Sequence, residues 1–222
     1  MSKGGGSHVR VIIVGAGLGG PCPAQGLVKS GIEVAVYERD ARSSARSQGY
    51  RLHIDGRGAQ ALHECLPADL YELFIATTGQ PSRQLTVMTK SLKPLHTQHF
   101  TDPNPTAAAP KTDSPNSVNT SVDRSILRRI LYCGLSDSVS FDREFDRYQQ
   151  LDDGRVRAHF TDGSQDTCDV LVAADGVSSR IRSQYLPQAQ VRGTGERVLY
   201  GRTSLTDDVR ARIPLQLSLG FA

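Results

Sequence analysis

The first residues that could do chemistry are glycines near the start of the chain. Gly15, Gly17 and Gly20 have the spacing G-x-G-x-x-G, and they stand between an apolar, β-branched run at residues 9–14 and a helical segment at 24–29. Such a turn lets the backbone approach a diphosphate, and the N-terminus of the following helix offers it unpaired N–H groups. The glycines therefore predict a dinucleotide site between a strand and a helix.

An acidic residue stands where the ribose of that dinucleotide would lie. Glu38 ends a second predicted strand at residues 33–37, about 20 residues after Gly17, which is the separation the geometry requires. A carboxylate there accepts hydrogen bonds from a free ribose and repels a 2′-phosphate. The alternative is a glycine-rich turn beside a solvated glutamate. Pro21 and Pro23 suit the first turn of the helix, although Pro23 could instead delay its start.

The composition restricts the class of protein. Of 222 residues, 38% are hydrophobic and 22% are charged, and the net charge is +3. These values predict a globular chain without a nucleic-acid or membrane partner. The apolar stretch 11–20 is too short and too rich in glycine for a membrane span, so we expect a cytoplasmic protein. The cysteines form no C-x-x-C pair, which favours reduced thiols over a metal site or disulfides.

The remaining pattern predicts an α/β domain. We expect strands at 50–54, 145–151, 156–160 and 169–174, a hairpin at 85–89 and 95–100, and helices at 58–65, 68–76 and 123–135. Ser121 or Asp123 could cap the last helix. Residues 101–120 indicate an irregular loop. The strand at 169–174 is apolar throughout, so we predict a central position for it in the sheet.

Three segments in order resemble FAD-dependent monooxygenases of the p-hydroxybenzoate-hydroxylase fold. They are the glycine turn with Glu38-Arg39, the R-x-x-L-x-x-x-L helix that opens at Arg124, and D-G-x-x-S-x-x-R from Asp175 to Arg182. The resemblance implies a Rossmann-like FAD-binding domain over residues 1–185, with 80–120 contributing to a β-sheet substrate lobe, and the start of a truncated substrate domain over 186–222.

The resemblance also implies which residues bind the cofactor. The first motif and the acid hold the ADP half of FAD, Arg124 contacts the flavin side, and the Asp175 motif supports both FAD and NAD(P)H. Alternatively, Arg124 is an exposed helix arginine and Asp175 caps the next helix, a role compatible with binding. The implied site comprises Gly15, Ala16, Gly17, Leu18, Gly19, Gly20, Glu38, Arg39, Arg124, Asp175, Gly176, Ser179 and Arg182. Residues 48–52 resemble a segment near flavin and substrate, although Tyr50 and Arg51 could simply form part of a strand.

The implied function is hydroxylation of a small organic, aromatic substrate with NAD(P)H and O₂. No side chain stands out as a catalytic base, and the six histidines have no nucleophile or metal spacing. We find no later Gly-Asp segment, so we expect an incomplete fold with weak FAD binding, unless a homodimer completes the site.

Three alternative functions are open. They are a flavin oxidoreductase that inserts no oxygen, a catalytically incomplete FAD-binding protein, and an NAD-dependent dehydrogenase domain. In the last case, the presence of the Arg124 and Asp175 motifs would be a coincidence.

Overall fold

The structure is a computed structural model that describes residues 9–41, 51–79, 84–99, 120–197 and 203–214. The strands in these ranges are β1 (Arg10–Val14), β2 (Glu33–Tyr37), β3 (Arg51–Ile54), β4 (Gln84–Met88), β5 (Pro94–His99), β6 (Thr120–Asp123), β7 (Val139–Ser140), β8 (Phe145–Gln150), β9 (Val156–Phe160), β10 (Gln165–Cys168) and β11 (Val170–Ala173). The helices are α1 (Pro21–Lys29), α2 (Gly56–Cys65), α3 (Ala68–Ala76), α4 (Arg124–Tyr132), α5 (Arg180–Tyr185) and α6 (Asp207–Arg212).

A parallel four-stranded sheet carries the glycine turn. Its order is β11-β1-β2-β7, with Val11 beside Val34 on one side and Val170 on the other. Strand β1 is apolar because both of its faces are covered, and Ile12 and Ile13 are fully buried. The predicted β-α-β unit is therefore confirmed, and the carboxyl ends of its strands meet at one edge of the sheet.

Each face of this sheet has its own apolar layer. On one face, Val11 and Ile13 pack with Ala24 of α1, and α2, α3 and α4 form a second cluster around Phe74 behind this layer. On the other face, Ile12 packs against Phe160 of the antiparallel sheet β10-β9-β8. The two layers fix α1 and α4 relative to the sheet edge. No helix in the described ranges is long and apolar enough to cross a membrane.

The strand at 169–174 does not take the predicted central position. In the described part of the chain β11 pairs with β1 alone and forms an edge of the sheet, where Val170 is 47% exposed. A short apolar run shows that its faces are partly covered, but it carries no information about a partner on its far side. The central position belongs to β1, and our prediction was wrong on this point.

Several boundaries also differ from those expected. Helix α1 begins at Pro21, so both prolines lie in its first turn, and α4 ends at Tyr132 before Gly134, which has a φ of +76°. The hairpin of β4 and β5 is confirmed. Strands β6 and β10 were missed because their sequences, TSVD and QDTC, are mostly polar, and β7 was missed because it has only two residues. The described part of 186–222 contains α6 and no strand.

Candidate dinucleotide site

The glycine turn has a conformation that side chains would disturb. Gly15 has a φ of +101°, and a Cβ atom there would lie 2.3 Å from the carbonyl oxygen of Ala174. A Cβ on Gly20 would lie 1.9 Å from the Gly15 carbonyl oxygen. At Gly17, by contrast, no described heavy atom lies within 4 Å of the Cβ position. Two glycines are therefore needed by the turn itself, and the third leaves open space toward a ligand.

Glu38 is bound to this turn by main-chain contacts. Its side chain is buried, one carboxylate oxygen accepts a 2.7 Å hydrogen bond from the Ala16 amide, and the other accepts a 3.0 Å bond from the Asp40 amide. The acid thus lies at the predicted place beside the glycines. It also fixes the turn, a role that the motif did not reveal. Each oxygen keeps acceptor capacity for a ribose hydroxyl.

A cleft of about 390 Å³ opens where β1, β2 and β11 end. The carboxyl ends of parallel strands are where ligands of open α/β sheets bind. The predicted residues that line this cleft are Gly15, Gly17, Glu38, Arg39, Arg124, Asp175 and Gly176. The structure therefore brings all three sequence motifs to one cavity.

Helix α4 presents one polar side to the cleft. Asp123 caps the helix by accepting hydrogen bonds from the amides of Ser125 and Ile126 at 2.8 and 3.3 Å, which confirms one of the two expected caps. The buried side of the helix consists of Leu127, Ile130 and Leu131. On another side, at spacings of four, stand Arg124, Arg128 and Tyr132. Arg124 is half-buried and lines the cleft, so the alternative of an exposed arginine is not supported.

Asp175 has one carboxylate oxygen engaged and one without a partner. Oδ2 accepts a 2.9 Å hydrogen bond from the Arg180 amide at the start of α5. Oδ1 is buried, and no described group donates to it. A buried carboxylate oxygen without a donor is unfavourable. Asp175 lines the cleft, so its carboxylate calls for a donor such as a ligand hydroxyl. The ribityl chain of FAD carries such hydroxyls, so the donor requirements of the site fit this cofactor.

Six of the predicted residues do not line the cleft: Ala16, Leu18, Gly19, Gly20, Ser179 and Arg182. Ala16 and Gly20 belong to the turn itself, where the Ala16 amide donates to Glu38 and Gly20 packs against the Gly15 carbonyl oxygen. Ser179 is buried and caps α5, since its hydroxyl accepts a 2.9 Å bond from the Arg182 amide. The Arg182 guanidinium donates to the Val177 carbonyl at 2.6 Å. Leu18 packs against the cluster around α2 and α3, and Gly19 is exposed beside it in the turn. Their contacts support the loops around the cavity, and a direct cofactor contact from them stays a prediction. Residues 48–50 lie outside the described ranges.

Sequence reasoning missed three arginines and a tyrosine near the cleft. Arg143 and Arg180 are paired with Asp162 and Glu144, and no motif pointed to them. Arg128 and Tyr132 could have been found, because they follow Arg124 at helical spacing on the same side of α4. Burial raises the pKa of Tyr132, although the Arg128 guanidinium beside it opposes this shift. The neutral phenol donates a 2.6 Å hydrogen bond to the Ala16 carbonyl.

Comparison with known proteins identifies relatives of the chain. The model of the FAD binding domain family matches residues 8–211. A dual O-methyltransferase/FAD-dependent monooxygenase of Phaeosphaeria nodorum is 36% identical over 215 residues, covering 92% of this chain and 22% of that protein. A solved structure from Photorhabdus luminescens is 36% identical with a TM-score of 0.66, covering 81% of this chain and 42% of that chain. HpxO of Klebsiella pneumoniae, solved with FAD and uric acid, is 27% identical with a TM-score of 0.58, covering 80% and 42%.

These relatives are much longer than the matched region. The chain spans 22% of the P. nodorum protein and 42% of each solved chain. Within that region the family match extends over all three motifs that line the cleft or support it. The resemblance to FAD-dependent monooxygenases is thereby confirmed, and the chain belongs to the FAD binding domain family.

Proposed function

We propose that the chain binds FAD in the cleft at the ends of β1, β2 and β11, as the cofactor-binding part of a monooxygenase. The observation that carries the proposal is the cleft that the glycine turn, Glu38 and Asp175 line together, with one Asp175 carboxylate oxygen left without a donor among the described residues. A dinucleotide with hydroxyls at both ends would complete the hydrogen bonds at both places. Membership of the FAD binding domain family supports FAD over other dinucleotides.

Each residue has a defined task in holding the cofactor. The amides at the start of α1, behind Gly17, would bind the diphosphate, and Glu38 would accept from the adenosine ribose. Asp175 would accept from a ribityl hydroxyl, and the guanidinium of Arg124 would neutralise cofactor oxygens nearby. Bound FAD would supply the two-electron redox chemistry and the O₂ activation that side chains cannot perform.

The reaction we propose is hydroxylation of an organic, aromatic substrate with NAD(P)H as reductant and O₂ as oxidant. The relative named as an FAD-dependent monooxygenase supports the reaction class. All four cysteines of the chain are free thiols. Free thiols are typical of a reducing compartment, which supports a cytoplasmic location. We also propose that the chain forms a homodimer with a second copy of itself.

Two measurements test the proposal in sequence. Titration of the purified chain with FAD, followed by flavin fluorescence, should show saturable binding, with heat-denatured chain as the control. NAD(P)H oxidation with ¹⁸O₂ and a panel of phenols should then give a labelled product. Flavin binding with hydrogen peroxide and no labelled product would favour the non-oxygenating alternative. Absence of flavin binding would contradict the proposal as a whole.

A further inference from the structure

We propose that Arg128 is an additional cofactor-binding residue, whose guanidinium binds a phosphate oxygen in the diphosphate of FAD. The inference rests on the proposed function, because it places a new contact within the same cleft. Within the R-x-x-L-x-x-x-L segment it occupies one of the positions that the motif leaves unspecified. Three observations support it: the position of its guanidinium, an unused buried donor, and the absence of a carboxylate partner.

The Arg128 guanidinium lies at the middle of the glycine turn. One of its terminal nitrogens donates to the Ala16 carbonyl at 3.2 Å, and Ala16 stands between Gly15 and Gly17. The guanidinium carbon also lies 5.4 Å from the centre of the Tyr132 ring, which holds the side chain along the helix. The amides behind Gly17, where we place the diphosphate, belong to the same turn. The arginine is therefore in place before any ligand arrives.

The Nε–H of Arg128 has no acceptor. The nitrogen is buried, and no group in the described ranges accepts a hydrogen bond from it. Because Arg128 lines the cleft, an acceptor can reach this side chain from the cavity. The described residues thus leave part of the hydrogen-bonding capacity of the guanidinium unused, and an anionic oxygen in the cleft would accept a charge-assisted bond from this side chain.

The positive charge of Arg128 is also unpaired within the described part of the chain. Arg143 and Arg180, which line the same cleft, form ion pairs with Asp162 and Glu144, but no described carboxylate lies within ion-pair distance of Arg128. The hydrogen bond from Arg128 to the Ala16 carbonyl does not by itself require a charged residue, because the Tyr132 hydroxyl already donates to the same oxygen at 2.6 Å. A phosphate of the bound cofactor would supply the counter-ion that this half-buried cation lacks.

The experiment compares ligands that differ in the diphosphate. Calorimetric titration of the full 222-residue chain would use FAD, ADP and adenosine. For Arg128→Gln we expect affinity for FAD and ADP to fall roughly tenfold or more, while affinity for adenosine changes less than about twofold. The matched control is Arg129→Gln, which removes the same charge from the next, exposed position of α4 and should leave all three affinities unchanged.

Two further readouts separate binding from support of the fold. The ADP affinity of Arg128→Gln should depend less on salt than that of the unmodified chain, since one phosphate contact is lost. Arg128→Lys keeps the charge and should recover part of the ADP affinity, which decides the matter if the glutamine variant does not fold. Equal losses for ADP and adenosine, or unchanged ADP affinity, would overturn the inference. If the unmodified chain binds neither FAD nor ADP, the proposed function fails as well; if it binds FAD and only the Arg128 effect is missing, the proposed function stands.

Discussion

The carboxylates at the two ends of the cleft, Glu38 and Asp175, differ in how many of their oxygens accept hydrogen bonds. At the glycine turn, both oxygens of Glu38 accept hydrogen bonds from main-chain amides, at 2.7 and 3.0 Å. At the end of β11, only one oxygen of Asp175 has a donor, and the other is buried without one. At the first end, the hydrogen bonds to both carboxylate oxygens come from the protein itself. At the second end, one carboxylate oxygen needs a donor that the described residues do not provide.

This difference indicates how each end contributes to binding. A carboxylate that organises its own loop is part of the fold, so its removal should harm the apo-protein and the cofactor complex alike. A carboxylate with an unmet oxygen is held at a cost, so its removal should harm the complex and spare the apo-protein. The glycine turn is thus expected to be preformed, while the Asp175 loop depends on its ligand. Mutations at both ends test this comparison.

The largest effect is expected within the preformed turn. Gly20→Ala would place a Cβ atom 1.9 Å from the Gly15 carbonyl oxygen, so the main chain must move. We expect the free energy of unfolding to fall by about 3 kcal/mol or more, measured by urea denaturation. Gly17→Ala is the control, because its Cβ meets no described atom within 4 Å. It should preserve stability and weaken only FAD binding. Equal stability of the two variants would contradict a preformed turn.

Glu38→Ala should affect both the fold and the cofactor. The amides of Ala16 and Asp40 would lose their acceptor, so we expect the apo-protein to lose about 1–3 kcal/mol of unfolding free energy. FAD affinity should also fall roughly ten- to a hundredfold, as expected for the loss of a charge-assisted bond to the ribose. Denaturation without FAD and flavin-fluorescence titration measure the two effects separately.

The control for this variant is Glu38→Gln. The amide oxygen can replace one of the two acceptors, so stability should be partly recovered. If Glu38→Ala leaves the apo-protein unchanged and only weakens FAD binding, then the contacts to the turn carry no stability. The proposed contrast between the two ends would then be wrong.

Asp175→Asn should have a smaller effect on the fold and a clear one on the cofactor. The asparagine oxygen can still accept from the Arg180 amide, and the unpaired anionic oxygen is gone. We expect apo stability to stay within about 0.5 kcal/mol of the unmodified chain or to rise, while FAD affinity falls roughly tenfold. A loss of apo stability as large as that of Glu38→Ala would mean that Asp175 serves mainly α5.

The sequence predicted one part of this site better than the other. Gly15, Gly17, Gly20 and Glu38 were assigned together because a turn between a strand and a helix requires them at fixed spacing. Ser179 and Arg182 matched a motif, yet their side chains form hydrogen bonds within the loop before α5 and the first turn of that helix. A motif records which residues recur at a position and not whether they face the ligand. The edge position of β11 was also unpredictable, since strand neighbours far apart in the chain leave no local signal.

The smallest effect on the fold is expected at Arg124. Its helix is anchored by Leu127, Ile130 and Leu131, and its start is capped by the side chain of Asp123, and these contacts do not involve the arginine side chain. For Arg124→Ala we expect the thermal midpoint of the apo-protein to stay within a few degrees, as for a change of about 0.5 kcal/mol or less. FAD affinity should nevertheless fall, because Arg124 lines the cleft and offers a cation to cofactor oxygens. Thermal denaturation without FAD and fluorescence titration with it provide the two readings, and Arg129→Ala on the exposed side of α4 is the matched control. A large fall in the thermal midpoint of the apo-protein would mean that Arg124 stabilises the start of α4. The ligand-dependent end of the cleft would then consist of the Asp175 loop and would not include Arg124.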